Sequence, residues 1–275
     1  MKPDESNTMV LQSLDLSIGY PHPGNPPLVL ARDLNLLIHP GQVIGLLGPN
    51  GSGKSTLLRT LSGLQPAISG SVRVMGQTIR SNQVRQTARM LAVVLTDRID
   101  VRNLTVAQLV GMGRYPYSDW FGRTADQDND RIRLALDQVR MLGFAGRYFN
   151  ELSDGEQQRT LLAKALVQDT PLIILDEPTA HLDLPNRISI MRLLRRLADE
   201  TGKSILFSSH DLDLAVHTAD HLWLLQKGGA LVQGKPDELM ESRAFEETFT
   251  TGPDEVDQNL VSDYFRSLRS RSAIE

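Results

Sequence analysis

An α/β fold is predicted for this 275-residue chain, with a mostly parallel sheet as its core, an antiparallel β-layer ahead of it and a helical segment in the middle. Three observations predict it. Short apolar runs at Val43–Leu47, Leu172–Leu175, Ser204–Ser208 and His221–Leu225 are separated by helical stretches, the alternation expected of buried parallel strands and crossover helices. Val10–Tyr20 and Val29–His39 alternate polar and apolar residues on either side of a Pro/Gly-rich turn, Pro21–Pro27, which reads as an antiparallel layer. From about Thr105 to Gln168 the apolar period becomes helical, with Ile132, Leu134, Leu136, Val139 and Leu142 supporting one amphipathic helix.

The remaining elements follow in order. Ser71–Val74 and Gln77–Ile79 extend the antiparallel layer around Met75 and Gly76, and Met90–Leu95 is a short apolar run suited to a buried strand. The main domain is expected over residues 8–250, with a helical subdomain at about 97–168 and a polar tail at 251–275.

Composition narrows the function classes. At 40% hydrophobic the chain can bury a substantial core. A net charge of −4 supplies no global basic field, so no nucleic acid partner is expected. The chain has no cysteine, which excludes disulfides, thiolate metal sites and cysteine nucleophiles, and fits a reducing compartment. Met1–Thr8 has no apolar centre, so no signal peptide is expected. No run approaches the roughly 18 apolar residues of a membrane-spanning helix. A membrane role is expected to come through a partner.

The chemistry begins at Gly48-Pro49-Asn50-Gly51-Ser52-Gly53-Lys54-Ser55, a G-x-x-x-x-G-K-S loop between a predicted strand and a helix starting near Thr56. Glycines let backbone N–H groups turn onto α- and β-phosphates, and the helix N-terminus adds partial positive charge. Asn50, Gly51, Ser52, Gly53, Lys54, Ser55 and Thr56 are the predicted phosphate cradle of a nucleoside triphosphate. Lys54 would reach the β- and γ-phosphates, and the Ser55 hydroxyl would ligate Mg²⁺.

Leu172–Leu175 delivers two adjacent carboxylates, Asp176 and Glu177, to the carboxyl edge of the sheet, where ligands bind in such folds. Asp176 is predicted to hold Mg²⁺, and Glu177 to act on the attacking water as general base or orienting group. Just upstream, Leu152-Ser153-Asp154-Gly155-Glu156 precedes a helix. Ser153 is a good N-cap and Gly155 permits close backbone approach, giving a second anion-binding helix terminus.

With this third motif the chain, over about residues 10–240, resembles the ATP-binding cassette (ABC) family, whose signature L-S-G-G-Q is here L-S-D-G-E. The resemblance implies a P-loop (RecA-like) ATPase core with ATP and Mg²⁺ as cofactors. It implies that Tyr20 stacks on adenine, that Ala180–Asp183 runs between two subunits, and that His210 contacts the γ-phosphate. Ser153, Gly155, Glu156 and Asp183 would then act on the nucleotide of a second copy, because the family's phosphate loop and signature face outward on opposite sides. Two chains would dock head to tail with twofold symmetry around two ATP molecules.

Gly113–Arg123, followed by acidic residues from Asp126 to Asp130, looks like a segment of the ATPases that serve importers of ferric siderophores, haem and cobalamin. The expected function is therefore the ATP-hydrolysing subunit of such an importer, peripheral on the cytoplasmic face of the plasma membrane and bound to an integral membrane permease. Tyr115, Tyr117, Trp120 and Phe121 form either a docking surface or a small satellite core. Soluble ABC proteins that work on DNA or ribosomes carry two cassettes or long coiled coils, and this chain shows neither. A transporter subunit for another cargo remains an alternative.

Two local features complete the reading. The family places Gln at the end of the Met90–Leu95 strand to meet Mg²⁺, whereas this chain has Thr96. Thr96 would act on the metal through water, unless Asp97 substitutes or coupling is altered. His217 and His221 lie four apart on an expected helix with Asp213 on the same face; a solvated face is the preferred reading over a metal site.

Overall fold

The computed structural model describes residues 9–96, 103–118 and 127–250. The expectations attached to Asp97, Trp120, Phe121, Arg123, Asp126 and the tail 251–275 lie outside the described residues. Antiparallel pairing joins β1 (Leu11–Tyr20), β2 (Leu28–Leu34), β3 (Leu37–Ile38), β5 (Ser69–Val74) and β6 (Gln77–Thr78). The central sheet is six-stranded. It contains β4 (Val43–Leu47), β7 (Leu91–Val94), β8 (Leu172–Leu175), β9 (Ser204–Ser208), β10 (His221–Leu225) and β11 (Leu231–Gly234). Its order is β11-β10-β4-β9-β8-β7, with only the β10–β11 pair antiparallel.

The central strands read as continuous apolar runs because both of their faces are covered. Val43, Leu47, Ile173, Leu175, Ile205, Phe207, Leu222 and Leu224 face one hydrophobic cluster, which includes the helical segment. Their neighbours Ile44, Leu46, Leu172, Ile174, Leu206, Trp223 and Leu225 face a second cluster beneath the antiparallel layer. This is period-two alternation with apolar residues at every step. The arrangement places the carboxyl ends of β4, β8 and β9 side by side, which sets up the site.

Three sequence expectations are corrected. Val29–His39 is two strands rather than one. The chain breaks after Leu34, where Asp15 and Asp33 take left-handed backbone conformations. The buried Ser13 hydroxyl bridges the break, donating to the Leu34 carbonyl at 2.8 Å and accepting the Leu36 N–H at 2.9 Å. The predicted helix through Leu142 ends at Gln138 as α4 (Gln127–Gln138). Arg140 adopts a φ of 61°, which stops the helix, and Leu134 points outward, 60% exposed, while Leu136 and Val139 are buried. His217 and His221 share no helix: His217 lies in α7 (Leu212–Thr218) and His221 opens β10.

The helical segment packs α3 (Val106–Gly111) and α4 on α5 (Asp154–Val167). Thr105 starts α3 with a reciprocal capping box to Gln108, satisfying two otherwise orphaned N–H groups. Gly113 sits hard against α5, so that a Cβ there would stand 2.4 Å from the Lys164 carbonyl oxygen. Replacing Gly113 with Ala forces backbone to move, and such overpacking costs about 1–3 kcal/mol. The expected outcome is a lower urea midpoint for Gly113→Ala with an unchanged m-value; a midpoint equal to that of the parent protein contradicts this packing.

Candidate nucleotide-binding and hydrolysis site

The phosphate loop leaves β4 at Leu47 and enters α1 (Lys54–Leu61). Gly51 and Gly53 hold φ values of 76° and 104°, a region that a side-chain-bearing residue enters only with strain. Lys54 is 5% exposed and its ammonium donates to the carbonyls of Gly48 at 2.8 Å and Pro49 at 3.2 Å. Burial pulls its pKa down, against the nearby charges of Glu177 and Asp176. Those two carboxylates favour the charged form that phosphate binding requires. The Ser52 hydroxyl is buried with no hydrogen-bond partner among the described residues, a polar group suited to accept or donate when phosphate arrives.

Asp176 is 4% exposed at the end of β8. Its Oδ1 accepts from the Ser55 hydroxyl at 3.3 Å and the Ser208 hydroxyl at 2.7 Å. Hydroxyl and carboxylate oxygens converging here form an all-oxygen donor set, which fits a hard divalent cation such as Mg²⁺. Ser208 also accepts the Glu177 N–H at 2.8 Å, so one hydroxyl fixes both acidic residues. Read from the sequence, Ser208 is only the end of the Ser204–Ser208 strand and has no role assigned in the site. Its signal was a hydroxyl at the last position of a parallel strand adjacent to the acidic one.

Glu177 has a φ of 50°, a strained left-handed conformation for a residue with a side chain. Its Oε1 lies 2.6 Å from His210 Nε2. His210 follows β9, so the pairing depends on β8 and β9 being neighbours with matched ends. Thr96 sits beside the same strand end, and its hydroxyl donates to the Asp176 carbonyl at 2.8 Å. The hydroxyl proton is thus spent on backbone, while its lone pairs can still accept from water.

One cavity of about 340 Å³ gathers Tyr20, Asn50, Gly51, Gly53, Lys54, Ser55 and Thr56 with Glu177 and His210. Its size falls in the range of small-molecule sites, about 300–1,000 Å³. Tyr20 is 46% exposed at its edge, and its hydroxyl is 3.0 Å from Thr56 Oγ1, leaving the ring partly free to cover a base.

The remaining predicted residues stand elsewhere. Ser153 caps α5, with its N–H and its hydroxyl each 2.8 Å from Glu156 Oε2. These two hydrogen bonds from Ser153 hold the Glu156 carboxyl below its ordinary pKa. A Cβ on Gly155 would meet the Asn186 side-chain oxygen at 3.0 Å, so the glycine lets α5 approach α6 (Leu184–Thr201). Asp183 caps α6 by accepting the Asn186 N–H at 3.0 Å. Neither Asp183 nor any residue of Leu152–Glu156 lines the cavity that holds Lys54.

Residues 31–180 match the sequence pattern of the family described as ABC transporter. The chain is 36% identical to the iron(3+)-hydroxamate import ATP-binding protein FhuC of Bacillus subtilis, over 92% of this chain and 90% of that protein. It is 38% identical to the cobalamin import ATP-binding protein BtuD of Halobacterium salinarum, over 76% of this chain and 52% of that one. Among solved structures, the dimeric bacterial ABC transporter cassette MJ0796 superposes with a TM-score of 0.71 at 25% identity, covering 82% of this chain and 98% of the other. Phosphate loop, paired carboxylates and capped signature helix, in this topology and with these relatives, identify the chain as a member of the ABC transporter ATP-binding family, an ABC ATPase.

Proposed function

We propose that this chain is the ATP-hydrolysing subunit of an importer for an iron chelate, haem or a corrinoid, working as a head-to-tail pair beneath a separate permease on the cytoplasmic face of the plasma membrane. The observation that carries the reading is the 2.6 Å Glu177–His210 contact in the cavity that also holds Lys54 and Ser55, in a chain so similar to FhuC. Among the described residues no helix is long and apolar enough to cross a membrane, so passage of cargo falls to another protein.

Lys54 and the loop N–H groups would stabilise the charge that develops as water attacks the γ-phosphate in line. Ser55 and Asp176 would hold Mg²⁺, which neutralises β- and γ-oxygen charge when bound, and Thr96 would reach it through a water. Glu177 orients the attacking water and takes its proton. His210 holds the Glu177 carboxylate in place and links it to the phosphate. Tyr20 covers adenine. Ser153, Gly155, Glu156 and Asp183 act on the partner's nucleotide, which is consistent with their absence from the Lys54 cavity.

A recess of about 170 Å³ lined by Leu64, Val84, Ala88 and Leu91 supports permease docking. Leu64 and Val84 are 55% and 70% exposed around it. Nearby, Arg85 and Arg89 of α2 (Val84–Thr87) and the residues after it donate to the Pro116 carbonyl at 3.1 and 2.9 Å. In the same segment Tyr115 and Tyr117 are exposed, Tyr117 with Arg89 and Arg114 against its ring, and this exposure favours the docking-surface reading. Co-purification with an integral membrane partner, together with cargo uptake that stops in a Glu177→Gln mutant, is the expected result. A chain that hydrolyses ATP but never associates with a membrane partner contradicts the importer reading.

Glu177→Gln leaves both phosphate cradles intact, so it should bind ATP, turn over about 10²–10⁴-fold more slowly and accumulate as an ATP-stabilised dimer. Size-exclusion chromatography with MgATP reads this directly, and a persistent monomer argues against the paired arrangement.

Ser153→Arg should leave ATP binding by the isolated monomer near the parent value while blocking hydrolysis, whereas Lys54→Ala should weaken nucleotide binding itself. Mixing the two variants creates dimers with one intact site, in which partial activity is expected to return. Loss of monomer ATP affinity in Ser153→Arg contradicts action in trans.

Thr96→Ala removes a hydrogen bond to the Asp176 carbonyl and a water-bridged contact, the latter nearly as good as a direct one. Basal ATPase activity should fall only several-fold, far less than in Glu177→Gln, and Thr96→Gln should be tolerated. An inactive Thr96→Ala enzyme with normal ATP binding makes the hydroxyl a primary ligand.

A further inference from the structure

Away from the nucleotide cavity, a groove of about 410 Å³ runs beside α5 and α6 and is lined by four arginines, Arg140, Arg159, Arg192 and Arg196, together with Pro185 and Ser189. Arg159 comes from α5, Arg192 and Arg196 from α6, and Arg140 from the turn just past α4. Among the described residues no carboxylate pairs with Arg140, Arg159 or Arg192, and Glu200 stands 4.0 Å from Arg196 Nε. That Nε is buried with no hydrogen-bond partner.

Part of this cluster has a structural use. Arg159 donates to the Val139 carbonyl at 3.1 Å and to Ser189 Oγ at 2.6 Å, and Arg196 donates to the Gln138 carbonyl at 2.7 Å. Those bonds satisfy carbonyls at the end of α4. They leave Arg140, Arg192 and the Arg196 Nε unexplained. Burial first, then the neighbouring charges of Arg140 and Arg196, pull the Arg159 guanidinium below the usual arginine pKa. Like charges held together without counter-ions are costly unless an anion joins them.

We propose that this groove is a second anion site that binds a compact phosphate-bearing ligand, pinning α4, α5 and α6 to one another. Guanidinium groups bind phosphate oxygens with paired, charge-assisted hydrogen bonds. The groove contains no acidic side chain among its lining residues. The ligand is either a free phosphate compound or a lipid headgroup, which share the chemistry read here. Because α5 carries Ser153 at its start and α6 carries Asp183, occupancy would stiffen the two helices that present the partner-facing residues.

The test uses the full chain with its nucleotide cavity saturated with MgADP and measures thermal melting against inorganic phosphate, with potassium chloride at matched ionic strength as control. The comparison is the double variant Arg140→Gln/Arg192→Gln, whose residues are exposed and whose side chains, unlike those of Arg159 and Arg196, donate to no carbonyl at the end of α4. The parent protein is expected to melt at higher temperature as phosphate rises. The variant should need roughly tenfold more phosphate for half of that rise, the size expected from losing a charge-assisted contact, while its stabilisation by MgADP is unchanged. Co-sedimentation with phosphatidic acid vesicles, run on the same pair, separates the two sources: retention that depends on the arginines assigns the headgroup, and its absence beside a positive melt assigns the free ligand. The proposal is overturned if phosphate and vesicles both fail to act on the parent protein, or if they act equally on the variant.

Discussion

The buried peptide and carboxylate of Asp176 tie together the separate parts of the nucleotide site. Its N–H donates to the Val94 carbonyl, its own carbonyl accepts the Thr96 hydroxyl, and its carboxylate accepts the Ser208 and Ser55 hydroxyls. One residue therefore fixes the ends of β7, β8 and β9 and the first turn of α1. A buried carboxylate without such partners carries a desolvation cost of several kcal/mol. The hydroxyls of Ser55 and Ser208 offset that cost and hold the charge where a cation can use it. The position of Glu177 then follows, since its N–H is held by the same Ser208 hydroxyl.

The strain at Glu177 is intelligible on this frame. A φ of 50° in a glutamate is unfavourable locally, and it persists because Ser208 on one side and His210 on the other define where backbone and side chain must lie. A glycine would relieve the backbone and remove the carboxylate. In this conformation Glu177 lines the cavity that also holds the phosphate loop, with its carboxylate on His210.

The site is also divided by design of the topology. Lys54, Glu177 and His210 meet in one cavity, while Ser153 and Asp183 serve as caps of α5 and α6 outside it. The same two helices carry the arginines of the second groove, so partner contact and anion binding would act on shared rigid elements.

Much of this was legible in the sequence, where a single local segment carried the chemistry. The glycine spacing before Lys54, the apolar run delivering Asp176, and Ser153 ahead of Glu156 each state a backbone requirement within a few residues, which is why they could be read without a structure. Central strands were legible because burial on both faces demands unbroken apolar runs. What the sequence did not carry was anything that depends on which strand lies beside which. Ser208 bridging Asp176 and Glu177 and Thr96 bonding to the Asp176 carbonyl join residues 31 to 80 positions apart, and the arginine groove gathers side chains from three separate elements. The break after Leu34 bridged by Ser13, the end of α4 at Gln138 and the separation of His217 from His221 likewise depart from the local apolar pattern. The sequence by itself determined the phosphate cradle, the acidic pair and the layered α/β plan, because local backbone geometry and apolar period encode them. Only the tertiary structure decided the hydrogen-bond network around Asp176 and the grouping of charges on α4, α5 and α6, because those depend on the order of strands in the sheet and on how the helices pack.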